Sequence, residues 1–150
     1  MKESTYQYRK TQAFRYTFTS IGKRRIQKEV VFTPTIVPHI YNLGFGDKLP
    51  DGSIDDKANS NNGDIRRILA TLVHILVDFT AALPEAEVFF SGSTEERTRL
   101  YARVLRTYFP FFSKDFVIDA LIKQKGKYIQ VAFDPGSPHT FVGFFVRKKR

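Results

Sequence analysis

The chain has 150 residues, a formal net charge of +9 at pH 7, 15 Phe and 7 Tyr, and neither Trp nor Cys. That length makes one compact domain over residues 1–150 the expectation. Without cysteine there is no disulfide framework, Cys-ligated zinc, iron–sulfur cluster or thiol catalysis, and a chain 42% apolar and 15% aromatic is too apolar to be disordered throughout.

The N-terminal stretch Met1–Lys10 is polar and lacks the apolar core of a signal peptide. Next, Phe14, Tyr16 and Phe18 alternate with Arg15, Thr17 and Thr19, which predicts a half-buried strand over 13–19. A turn at 20–25 with Gly22 and three cations returns the chain into a β-branched strand over 26–33. A third strand is expected over 40–47, with Tyr41, Leu43 and Phe45 on one face, and residues 49–63 read as a loop. Asp64 stands as N-cap of a helix running to Ala82, with Ile65, Ile68, Leu69, Leu72, Leu76 and Phe79 at helical spacing. Thr71, His74, Asp78 and Thr80 interrupt this apolar stretch, so it does not read as a membrane span. A short strand at 87–90 leads through Ser91–Thr94 into a second helix over 94–108. Ser93 and Glu96 fit a capping box there, and Pro110 marks the end. A hairpin pairs 116–122 with 128–133 about Lys123–Lys127, a last strand follows over 139–146, and residues 147–150 form a basic tail. The order βββ–α–β–α–ββ, with room for that last strand, describes an α+β domain: a mainly antiparallel sheet with two helices on one face.

The charge is segregated. Residues 1–28 carry +7, 29–92 carry −5, 93–114 carry +3 and 115–150 carry +4. Segregated positive charge favours phosphates or an acidic partner. The strongest constellation is Ser91, Ser93 and Thr94 at a helix start, where free N–H groups and hydroxyls can receive an anion. Arg97 follows, and Arg99, Arg103 and Arg106 share one face at spacings of four and three. Glu95 and Glu96 compete with that reading, because they complement the helix dipole and pair with Arg99. Lys23, Arg24 and Arg25 in one turn, and Lys123, Lys125 and Lys127 in another, make two further patches suited to nucleic acid. Aromatics interleave with cations over Tyr6–Arg25 and could stack bases, although a core-facing row explains them more simply.

Other chemistry is weaker. Asp47, Asp51, Asp55, Asp56, Asn59, Asn61, Asn62 and Asp64 are hard-cation ligand types, but their spacing fits no metal motif, and no metal site or cofactor is expected. His39, His74 and His139 share no metal or triad spacing. His74 could act as a base and Arg97 could steady a phosphorane in a ribonuclease. A polar stripe formed by His74, Asp78 and Arg67 is the simpler account. The P-loop and serine-hydrolase motifs are absent from the sequence.

Two segments carry a resemblance. Asn61-Asn62-Gly63-Asp64-Ile65 with Leu69–Val73, and Val88–Thr94 with Arg97-Thr98-Arg99-Leu100-Tyr101, are similar to an uncharacterised family of short bacterial proteins, a domain of unknown function. The resemblance implies a small stand-alone cytoplasmic protein and no particular activity. It also brings a toxin–antitoxin setting into view, and the chain after Asp134 departs from the family pattern. The resulting expectation is a binding module for nucleic acid or an acidic protein, without a membrane partner. A toxin-like ribonuclease and a small-anion or nucleotide binder at Ser91–Thr94 are the alternatives. A homodimer or a small protein partner stays open.

Overall fold

The computed structural model describes residues 4–55, 62–137 and 140–149. Its strands are β1 (Tyr8–Gln12), β2 (Arg15–Ile21), β3 (Arg25–Pro34), β4 (Ile40–Lys48), β5 (Ile54–Asp55), β6 (Glu87–Phe90), β7 (Phe116–Gln124), β8 (Lys127–Ala132) and β9 (Phe141–Lys148). Helix α1 (Ile65–Ala82) lies between β5 and β6, and α2 (Glu95–Asp115) between β6 and β7. The strands form one sheet in the order β1-β2-β3-β4-β6-β9-β7-β8, with β5 paired to β4. Pairing is antiparallel except between β4 and β6 among the described residues. The fold is therefore α+β.

Alternation along the strands decides which face is dry. Tyr16, Val30 and Phe45 stand in register on one face, as do Phe14's neighbours Phe32 and Leu43. The row continues through Val88, Val146 and Ile118 on the other half of the sheet. Both helices cover this face. Phe79 of α1 is 1% exposed and stacks on Phe32 with ring centroids 3.8 Å apart, while Tyr41 and Phe14 meet it edge-on. On α2, Tyr101 packs against Phe90, and Leu105 and Phe112 are buried. Most of the aromatic residues are thus spent on the core. The opposite face is more polar, with Thr17, Gln27 and the Arg15–Glu29 ion pair at 3.0 Å.

Several expectations change. The alternation pattern predicts no strand over Tyr8–Gln12, yet β1 forms there, and the strand expected over 13–19 lies at Arg15–Ile21. Within the 49–63 loop, Ile54 and Asp55 pair with β4, and residues 56–61 lie outside the described ones. Asp64 occupies the N-cap position of α1 but gives it no side-chain cap, because its Oδ2 accepts from the Tyr6 and Ser20 hydroxyls. Thr94, not Ser93, caps α2: its side chain accepts from the Arg97 N–H. Helix α2 also runs past Pro110 to Asp115. The regular geometry breaks at Tyr108, so Pro110 opens a second helical stretch, where its missing N–H costs little. The turn between β7 and β8 is Lys125-Gly126, both at positive φ, which suits a tight two-residue hairpin.

The largest change concerns the C-terminus. Strand β9 sits inside the sheet, hydrogen-bonded to β6 on one side and β7 on the other. Arg147 and Lys148 belong to it and do not form a free tail. Lys149 donates its N–H to the Asp115 carbonyl, and Arg150 lies outside the described residues. His139 also lies outside them, and the strand begins at Phe141.

Candidate nucleic-acid interface

Strand β6 ends at Phe90, and the chain turns through Ser91-Gly92-Ser93 into α2. This turn is tight. The Gly92 N–H bonds the Thr98 hydroxyl at 2.9 Å, and a Cβ on Gly92 would lie 2.4 Å from the Thr98 nitrogen and 2.5 Å from the Arg97 Cβ. Glycine is the residue that lets the strand end approach the helix so closely. The packing fixes the direction in which α2 leaves the sheet.

Between α2 and the start of β9 lies a surface groove of about 980 Å³. Its walls carry Arg99, Arg103 and Arg106 from α2, Lys123 from the end of β7, and Thr140 and Phe141 from the start of β9. Ser91, Ser93 and Thr94 close one end. The three arginines foreseen on one helix face therefore do line one groove, and the β7 hairpin adds a fourth cation. Glu95 is the carboxylate in the wall. It meets Arg99 at 3.9 Å with both side chains largely exposed, a contact worth little in water. Arg106 is held more firmly: its guanidinium lies over the Phe141 ring at 5.5 Å and reaches the Ser137 carbonyl. Arg103 is exposed.

Arg97 does not line this groove. It is half-buried against Gly92 at the first turn of α2. His74 is on α1, where its carbonyl and the Asp78 carboxylate both face the Tyr8 hydroxyl. No described contact joins His74 to Arg97, and Asp78 accepts from Tyr8 instead of pairing with the histidine. Burial, with the Asp78 hydrogen bond second, pushes the Tyr8 hydroxyl well above its ordinary pKa. Burial and then the Asp64 hydrogen bond raise that of Tyr6. Tyr16 is raised by burial, with a smaller contribution from Asp78.

The other cationic patches divide by the ends of the strands. The register puts the β2–β3 turn (Lys23 and Arg24, with Arg25 opening β3), the Ser91–Ser93 turn and the Lys123–Lys127 hairpin at the same end of the sheet. Five strand spacings, or about 24 Å, separate the two hairpin turns. Lys125 and Lys127 flank the groove's Lys123, while Lys23, Arg24 and Arg25 stand apart. Arg147 and Lys148 are at the opposite end, level with Glu87 and Phe116.

The acidic loop disperses into separate structural roles. Asp47 pairs with Lys28, which also lies 5.7 Å over the Phe45 ring. Asp51 accepts from the Ser53 hydroxyl and N–H, which hold its carboxyl below the usual range. Asn62 is 4% exposed and stitches the β2–β3 turn. Its amide donates to the Ser20 hydroxyl and the Arg24 carbonyl and accepts from the Arg24 N–H, and its own carbonyl accepts from the Lys23 N–H. A Cβ on Gly22 would lie 1.8 Å from that carbonyl, so glycine is required at this crossing. Among the described residues no group of three or more acidic or histidine side chains could hold a metal ion. Asp56, Asn59 and Asn61 lie outside them. No described helix is long and apolar enough to cross a membrane.

A family model for a family of unknown function, DUF6934, matches residues 2–149. The chain belongs to this family. Neither a curated protein nor a solved structure matches it. The match extends through β9, so the C-terminal strand is part of the family's domain despite the departure expected after Asp134.

Proposed function

We propose that the chain is a non-catalytic binding module whose α2 groove takes the phosphate backbone of a nucleic acid. One observation carries this reading: Arg99, Arg103, Arg106 and Lys123 line a single groove against one carboxylate, Glu95. From Arg99 to Arg106 the helix rises about 10 Å, a span that matches about three successive phosphates along one strand of a helical nucleic acid. Guanidinium groups bind phosphate oxygens in bidentate fashion, and the hydroxyls of Ser91, Ser93 and Thr94 add donors at the groove's end. The half-buried Phe141 ring, already under Arg106, limits base stacking in the groove. Recognition would therefore run through the backbone and be weakly selective for sequence.

A small anion at the start of α2 is less well served. The Arg97 and Thr98 N–H groups are bonded to Thr94, the Gly92 N–H to Thr98, and the first turn carries Glu95 and Glu96. Those commitments take up donors that a bound phosphate would use.

The test is fluorescence anisotropy with single-stranded RNA and DNA oligonucleotides of mixed sequence. Wild-type chain should bind both, and Arg99→Glu with Arg103→Glu should weaken binding at least tenfold while leaving the melting temperature within a few degrees. Equal affinity of the doubly reversed chain would refute the groove assignment. Binding of an acidic peptide in preference to either oligonucleotide would assign the groove to a protein partner.

A further inference from the structure

A second cavity lies on the inner side of α2. It has a volume of about 230 Å³ and sits between α1, α2 and the centre of the sheet. Leu69 and Leu72 of α1, Val104 and Tyr101 of α2, and Leu43 and Phe90 of the sheet help line it. All six are only partly buried, although each belongs to an apolar face turned inward. A cavity of about 150 Å³ lined by leucine, isoleucine and phenylalanine is large enough for benzene. This one is half as large again.

The cavity reaches the Ser91-Gly92-Ser93 turn, and those same three residues line the cationic groove. Helix α2 thus divides two environments that meet at one loop. Its Tyr101–Val104–Leu105 side faces an apolar space, and its Arg99–Arg103–Arg106 side faces solvent among cations. Serine hydroxyls and the Asn42 side of β4 supply polar atoms where the apolar lining ends.

From this arrangement we propose that the chain binds a small amphiphile, with a medium-length acyl chain between α1 and α2 and an anionic head that passes the Ser91–Ser93 loop to reach Arg99 and Arg103 in the groove. The apolar lining selects the chain, because burial of each methylene is favourable and non-directional. Arg99 and Arg103, which line the groove together with Ser91 and Ser93, select the sign of the head. The site rests on the cavity and not on nucleic-acid binding, and a failure of either reading leaves the other standing.

The probes are decanoate and decanol, read by thermal shift and by NMR. A ligand that binds only the folded chain must raise its melting temperature. Decanoate should raise it, and should bind several-fold more tightly than decanol. Its terminal methyl should show contacts to Leu72 and Val104 methyl groups in the wild-type chain. Leu72→Phe and Val104→Phe, which add bulk to the lining, should each weaken decanoate at least tenfold. Arg99→Glu with Arg103→Glu should erase the preference over decanol and leave decanol binding intact. Absence of a decanoate shift together with absence of methyl contacts would overturn the proposal, even if a filled variant failed to fold. Equal binding of decanoate and decanol would overturn the anionic head, and undiminished binding by both folded phenylalanine variants would overturn the cavity.

Discussion

Replacing Asn62 by Asp exchanges a buried NH₂ for an oxygen and changes little else in shape. In the wild-type chain that NH₂ donates to the Ser20 hydroxyl at 3.0 Å and to the Arg24 carbonyl at 2.8 Å, while Oδ1 accepts from the Arg24 N–H at 2.7 Å. The Ser20 hydroxyl already gives its proton to Asp64. An ionised carboxylate at position 62 would therefore face two oxygens with no hydrogen between them, one bond away from a second carboxylate. Each lost hydrogen bond is worth about 1 kcal/mol net, and an unsatisfied buried acceptor adds about 1–3 kcal/mol. With both donated bonds lost, Asn62→Asp should cost about 3–5 kcal/mol at pH 7, lowering the melting temperature by about 6–20 °C for a chain of this size. The cost has a pH signature. Burial and the facing oxygens raise the new carboxyl's folded-state pKa above its unfolded value of about 3.9. Its penalty is therefore absent below that value and grows as pH rises through the folded-state pKa. Urea unfolding of Asn62→Asp, referenced to the wild-type chain at each pH, removes the acid sensitivity shared by both chains. A deficit under about 0.5 kcal/mol at pH 7, or one equal at pH 4 and pH 7, would refute the assignment of Asn62 as the stitch of the β2–β3 turn.

Phe79→Ala should destabilise by about 3–5 kcal/mol, because the ring is sandwiched by Phe32, Tyr41 and Phe14 with no room to collapse; a urea midpoint close to wild type would contradict that packing. Gly92→Ala should cost about 1–3 kcal/mol, since the new methyl must push α2 from the strand end. Its spectrum should show changes centred on residues 91–99, and an unperturbed chain would refute the close approach. At alkaline pH, Tyr8, Tyr6 and Tyr16 should each titrate above the unfolded value of about 10, because burial raises their folded-state values. The stability linked to them is full below about pH 10 and is lost as pH rises further. Ring-carbon NMR resonances of Tyr6, Tyr8 and Tyr16 that titrate at or below about pH 10 would contradict this.

Local patterning made the helices and most strands legible. Ile68, Leu76 and Phe79 at helical spacing are buried in α1, and the Phe14–Tyr16–Phe18 alternation does face the core. The alternation carried no signal for β1, whose residues Arg9–Gln12 are all exposed at the sheet edge. Strand β9 was harder for the opposite reason. Phe141–Val146 is an almost continuous apolar run, as suits a strand flanked on both sides, but its place between β6 and β7 depends on partners distant in sequence. The caps illustrate competition. Asp64 has the right residue type for a cap, yet Tyr6 and Ser20 claim its carboxylate from elsewhere in the fold.

The candidate site was legible in the same partial way. Spacings of four and three placed Arg99, Arg103 and Arg106 on one face because a helix dictates it. Lys123 joins them through strand pairing, which no local pattern contains. The cluster of Asp and Asn over 47–64 looked like cation ligands by type, but Asp47, Asp51, Asn62 and Asp64 each have a structural partner. The cavity had no signal at all, since Leu72 and Val104 look like ordinary core residues until the distance between the helices is known.

The most direct test of the groove is the salt dependence of oligonucleotide binding. Four cations neutralising four phosphates of a single strand give a slope of log affinity on log salt near −3, or about a sixty-fold loss between about 50 and 200 mM salt. Reversal of Arg99 and Arg103 should flatten the slope to about −1 or less. A wild-type slope near zero, or one unchanged by the reversal, would contradict a phosphate-binding groove on α2.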